Sequence, residues 1–155
     1  MRAILRDLAL NRCPPFFRDW QFLTALAAGA AFWILLRWLT PNGRETRVAI
    51  AAIISLCLIQ PVLEELIFRG VIQGELLDKA WGRVKHGGIS SANALTSLAF
   101  TALHFISHPP LWAASVIIPS LLFGHFRERH SSVYPPLALH IYYNMGYFLT
   151  TGFHT

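Results

Sequence analysis

Charge is scarce in this chain. Only 14% of its 155 residues are Asp, Glu, Lys or Arg, against about 25% in a typical soluble domain. With 54% hydrophobic residues, that composition excludes an ordinary soluble domain and leaves a polytopic membrane protein. Cysteine is nearly absent. Cys13 stands beside Pro14 and Pro15 and Cys57 lies in an apolar run, which excludes a disulfide framework and a CxxC metal site. There is no HExxH zinc signature, no internal repeat and no low-complexity segment. A net charge of +5 does not point to nucleic acid, because the Lys and Arg residues sit at the ends of apolar runs.

The chain does contain apolar runs of membrane-spanning length. At roughly 20 residues per helical crossing it has room for about five spans and no separate soluble domain. The expected fold is therefore all-α and polytopic, with about five transmembrane helices and an N-terminal interfacial helix. Residues 1–18 hold that interfacial helix: Ile4, Leu5 and Leu8 share one side, and Pro14 and Pro15 end it. Arg6 and Asp7 interrupt the apolar run that a signal peptide needs. Residues 19–47 hold the first span, 20–39, and its loop, with Trp20, Trp33 and Trp38 as interface anchors.

Residues 48–155 form the core. A second span opens at 48 and runs past Pro61, a candidate kink, toward Leu77. The polar loop 78–91 follows, and then spans over 92–106, 111–126 and 133–151. The basic residues Arg2, Arg6, Arg12, Arg18, Arg69, Lys79, Arg83, Lys85, Arg127 and Arg129 fall on one side and Arg37, Arg44 and Arg47 on the other. The positive-inside rule then puts the N-terminus in the cytoplasm and the C-terminus outside. Arg127 and Arg129 read as headgroup anchors of the fourth span. His86, His108, His125, His130 and His154 receive no role.

Against this apolar background, a few polar residues stand out. An ionised carboxylate in hydrocarbon costs several kcal/mol, so each needs a reason. Glu65 and Arg69 are four apart, acid before base, and are neighbours on one helix face, whereas Glu64 is turned about 100° away. One carboxylate thus has a built-in partner and the other is available as a general acid or base. His140 and Asn144 are also four apart and present an imidazole and an amide side by side, suited to a developing oxyanion. His104 lies one turn beyond Phe100. Taken singly, each pattern is equally a structural device: an ion pair near the headgroups, or helix-to-helix hydrogen bonds.

The ordered set is more specific. The run from Pro61 through Glu64, Glu65, Phe68, Arg69 and Gly70, followed by Phe100 with His104 and His140 with Asn144, resembles the CAAX protease and bacteriocin-processing (CPBP, or ABI) family of intramembrane proteases. Gly124, Ser131 and Ser132 add to the likeness. The resemblance implies that Glu64 and His104 activate water, that His140 and Asn144 stabilise the oxyanion, and that Glu65, Arg69 and Phe100 support them. It implies hydrolysis of a peptide bond in a membrane-embedded or membrane-anchored protein or peptide, such as a CAAX-like, bacteriocin-leader or C-terminal sorting-tail segment. The short chain is similar to prokaryotic members, which places it in the cytoplasmic membrane.

Other readings compete with the glutamate and water mechanism. Glu64, His104 and His140 could instead hold a zinc ion with one open position, although water activation by a glutamate needs no metal and no cofactor. A non-catalytic immunity or scaffold protein would bind a partner helix without cleaving it. A small proton-conducting channel is the third. One mismatch accompanies the protease reading. Counted from the span starts, Glu64 and His140 lie roughly 6 to 10 Å from the inner face and His104 nearer 20 Å. A later start to the third span, a kink at Pro61 or helix tilt would reconcile them.

Overall fold

The computed structural model describes residues 8–10, 13–39 and 50–151, and these are almost entirely helical. A single 3₁₀ turn, Phe16–Arg18, leads into α1, Trp20–Leu39. The helix α2 spans Ile50–Leu77. A short antiparallel pair, β1 (Lys85–His86) and β2 (Ile89–Ser90), closes the loop after it. Four further helices follow: α3 (Ser91–His104), α4 (Pro110–Ser115), α5 (Ile117–His130) and α6 (Tyr134–Thr151). Of residues 1–18, expected to hold the interfacial helix, 8–10 and 13–18 are described: Leu8 and Ala9 form a turn whose Ala9 carbonyl accepts the Val133 N–H, and Phe16–Arg18 is the 3₁₀ turn, so the described part is not an α-helix.

Two of these helices, α1 and α2, are long and apolar enough to cross a membrane, and their outward surfaces agree with that. Ile34 is 73% exposed and Trp38 76%, and on α2 Ile54, Leu58, Leu63 and Ile67 all face outward. Inside, the pattern reverses. Arg69, Gln73, Ser97 and Ser120 are fully buried, with Glu65 and Thr96 nearly so. Apolar side chains outside and polar ones turned inside are what a hydrocarbon solvent selects.

The fourth span, expected to be continuous over 111–126, is broken at Val116 into α4 and α5. In α2 the break is subtler. Two π-helical turns, Ser55–Ile59 and Leu66–Ile72, widen the helix on either side of Glu64 and Glu65. The first directly precedes Pro61, which has no N–H to donate. Gln60 N–H reaches back to the Ser55 carbonyl, so the next donor in that π register would have been Pro61 and the Leu56 carbonyl is left without one.

Helix directions follow from the buried hydrogen bonds. Arg69 donates to Ser120 and Gln73 to the Gly124 carbonyl, so α2 and α5 run the same way. Ser90 donates to Glu128 and Asn93 to the Leu121 carbonyl, so α3 runs against them. At Gly124 the α3 and α5 helices meet so closely that any Cβ would overlap the Asn93 amide. On the other flank, α1 packs on α6, with Tyr142 and Tyr143 donating to the Leu26 and Ala25 carbonyls. A core of Phe16, Phe22, Ala25, Phe123, Phe126 and Leu139 lies between α1, α5 and α6.

An ionic cluster that the sequence reading did not anticipate ties the start of α1 to the end of α5. Asp19 accepts from Arg129 Nε at 2.5 Å and Nη2 at 3.2 Å, and its Oδ2 lies 3.0 Å from His130 Nε2. The hydrogen bond from Arg129 holds the Asp19 carboxyl below its ordinary value. Arg127 does not reach the headgroups as expected. It turns inward, with Nε donating to the Arg69 carbonyl at 3.0 Å.

Candidate active site

The site begins with the four-residue spacing on α2. Across the second π turn Arg69 still meets Glu65, Nη1 to Oε1 at 3.3 Å, with the two side chains 0% and 1% exposed. A guanidinium so enclosed needs other partners. Arg69 Nη2 donates to the Ser120 carbonyl at 2.9 Å and to Ser120 Oγ at 2.7 Å. Its plane is flanked by the Phe100 and Phe123 rings, 4.7 and 5.3 Å from their centroids. Arg69 therefore fixes the position of Glu65 with support from two neighbouring helices, α3 and α5.

What Glu65 then holds is His140. Glu65 Oε1 lies 2.9 Å from His140 Nδ1. An ionised carboxylate only accepts, so the imidazole donates Nδ1–H and presents Nε2 to whatever lies beyond. That neighbour is Glu64, with Oε2 3.6 Å from Nε2. Glu64 is 32% exposed at its side chain, the accessible carboxylate of the pair. The His140 ring stacks on Phe123 at 4.8 Å and meets the Phe100 ring at 6.0 Å.

Spacing set His140 beside Asn144, and the resemblance implied Glu64 with His104; in addition, His140 lies against both glutamates. Asn144, one turn further along α6, donates Nδ2–H to the Leu56 carbonyl at 3.0 Å. It supplies the donor that Pro61 lacks and keeps a second N–H. His104 closes α3. Its Nδ1 lies 2.8 Å from the Phe100 carbonyl, which can only accept, so Nδ1 carries the proton and Nε2 is left as the outward nitrogen. The His104 ring packs on Phe100 at 4.6 Å, opposite a ladder of His108 and Trp112. His104 makes no direct hydrogen bond to Glu64 among the described residues.

Counting from the ends joined by the 78–90 loop, Glu64 precedes Leu77 by 13 residues and His104 follows Ser91 by 13 residues. At 1.5 Å per residue both lie about 20 Å along their helices. His140 is only 6 residues into α6, yet it lies against Glu64, so α6 starts further along the bundle than α3 does.

Two contributors were not singled out from the sequence. Ser120, which receives Arg69, is one hydroxyl in a mixed helix, and Phe123, which stacks on His140, is one aromatic in an apolar run. Only the i, i+3, i+4 spacing of Ser120, Phe123 and Gly124 on α5 hinted that they share a face. Among the described residues, no three His, Cys, Asp or Glu side chains are grouped as ligands for a metal ion.

No curated protein and no solved structure matches this chain. The family model for the type II CAAX prenyl endopeptidase Rce1-like proteins does match, over residues 46–146, a stretch that holds Glu64, Arg69, His104, His140 and Asn144. A membrane-embedded protease family is therefore the setting of this glutamate and histidine cluster, and the chain belongs to the type II CAAX prenyl endopeptidase Rce1-like family.

Proposed function

We propose that this chain is an intramembrane endopeptidase that hydrolyses a peptide bond of a membrane-anchored protein without a metal. The observation that carries the reading is the His140 bridge, Nδ1 on Glu65 and Nε2 on Glu64. Glu64, the accessible carboxylate, takes a proton from water held between it and His104 Nε2. The hydroxide attacks the scissile carbonyl carbon. The resulting oxyanion accepts from the second Asn144 N–H and from His140 Nε2–H when that nitrogen carries a proton. The proton held by Glu64 passes to the leaving amine. Glu65, fixed by Arg69, keeps the His140 ring in one orientation throughout.

The crossings of α3, of α4 with α5, and of α6 are part of the same proposal, five in all, with the N-terminus cytoplasmic and the C-terminus outside. The alternating helix directions and the basic residues around the 78–90 loop support it. An enzyme of this kind is an integral protein of the cytoplasmic membrane.

Co-expression with candidate membrane-anchored substrates tests the mechanism. Glu64→Gln changes a partly exposed side chain and should leave the protein folded while lowering cleavage about 10²- to 10⁴-fold. His104→Ala should do the same, and a chelator should leave the wild type unaffected. Unchanged product from both variants would overturn the protease reading. Activity abolished by the chelator and restored by zinc would overturn the metal-free mechanism.

A further inference from the structure

The ionic cluster at the start of α1 forms the floor of an open cleft of about 420 Å³, lined by Pro15, Arg18, Asp19, Trp20, Arg129 and His130. The signs of charge in it are unevenly displayed. Asp19 is 7% exposed and its oxygens are taken by Arg129, His130 and the Gln21 N–H. Glu128, next to Arg129 on α5, is turned inward onto Gln73 and Ser90. Arg129 is 39% exposed, and Arg18 is exposed beside it. Among the described residues that line the cleft, the one carboxylate, Asp19, is consumed while the guanidiniums face out, so the lining presents positive charge and free donors: Arg129 spends two of its five N–H groups on Asp19.

The cleft also adjoins apolar surface. Trp20 is 68% exposed and Phe17 63%. Trp20 opens a helix long enough to cross the membrane, which puts its indole at the depth where interfacial aromatics meet lipid headgroups. We propose that this cleft is a binding site for the phosphate headgroup of an anionic phospholipid, with Arg18 and Arg129 on the phosphate and Trp20 against the top of the acyl chains. Charge complementarity and the adjacent apolar wall select a lipid over a soluble anion. The site is distant in role from peptide cleavage and stands whether or not the chain is an active protease.

The test uses the 155-residue chain in a neutral detergent, titrated with phosphatidylglycerol, phosphatidylcholine or inorganic phosphate. Retained lipid is read by native mass spectrometry and stability by thermal unfolding. Phosphatidylglycerol should be retained and should raise Tm, and phosphatidylcholine should not. Arg18→Gln leaves the Asp19 cluster in place and should weaken retention about fivefold, as expected for one basic group at a membrane surface. Arg129→Lys keeps the charge but loses the fork and should also weaken it. Lys79→Gln, an exposed basic residue outside the cleft, is the control and should change nothing. Equal retention of phosphatidylcholine, or a loss in Arg18→Gln no larger than in Lys79→Gln, would overturn the site. Inorganic phosphate reproducing the full Tm gain would overturn the lipid assignment.

Discussion

The protein contains two clusters of the same three residue types, a carboxylate, an arginine and a histidine. Glu65, Arg69 and His140 sit in the interior, and Asp19, Arg129 and His130 at the rim. In the interior the arginine is 0% exposed, at the rim 39%. Water can take over any bond lost at the rim. It cannot do so inside, where each ion depends on its partner, on Ser120 and on two aromatic rings. The same chemistry thus serves as a replaceable clasp in one place and as a fixed support for a buried histidine in the other. Among the described residues, only the interior cluster has a second carboxylate, Glu64, within reach of its imidazole.

That contrast can be broken most directly at the arginines. Arg69→Met would strand the Glu65 charge and should cost about 3–5 kcal/mol, seen as loss of folded protein in a detergent melt. Arg129→Met should lower Tm by only a few degrees. Equal losses would mean that burial does not separate the clusters. The next largest effect is on catalysis. Glu65→Gln can present an amide N–H to His140 Nδ1 and turn the ring to its other tautomer, so kcat should fall about 10²- to 10⁴-fold with KM little changed. Asp19→Asn should leave kcat alone.

Helix packing sharpens the comparison further. Gly124→Ala would wedge α3 from α5, the two helices that carry Phe100 and Ser120 to Arg69. It should cost about 1–3 kcal/mol. Activity should fall along with stability, since both walls of the guanidinium site would move. The smallest effect is at the rim and depends on pH. Asp19 is held below its ordinary value of 3.8. Its pairing therefore stabilises the fold at and above that pH and is lost as pH falls through the folded value. Wild type and Asp19→Asn should differ by about 3 °C in Tm at neutral pH and converge below about pH 4.

How much of this was legible beforehand depends on the distance along the chain. Glu65 with Arg69 follows from helical spacing, and the contact is there. His140 on Glu65 joins residues 75 positions apart, which no local rule can pair. The rule that could be applied, four-residue spacing, linked His140 with Asn144 instead. It placed them correctly on one face, but Asn144 is drawn to the carbonyl that Pro61 leaves unpaired. Arg127 and Arg129 looked alike at the end of an apolar run, yet α5 turns one to the Arg69 carbonyl and the other to Asp19.

By itself, the sequence determined the solvent, the helical class and the polar residues that must be accounted for. Those follow from composition and period, since low charge, long apolar runs and carboxylates inside them have few other physical readings. It also placed the chain near the right family through the order of its motifs. Only the tertiary structure decided which nitrogen of His140 meets which glutamate, and that Asp19 is consumed while Arg129 remains displayed. Those facts depend on how helices are aligned against each other, and that alignment is set by distant contacts such as Arg69 with Ser120 and Gly124 with Asn93.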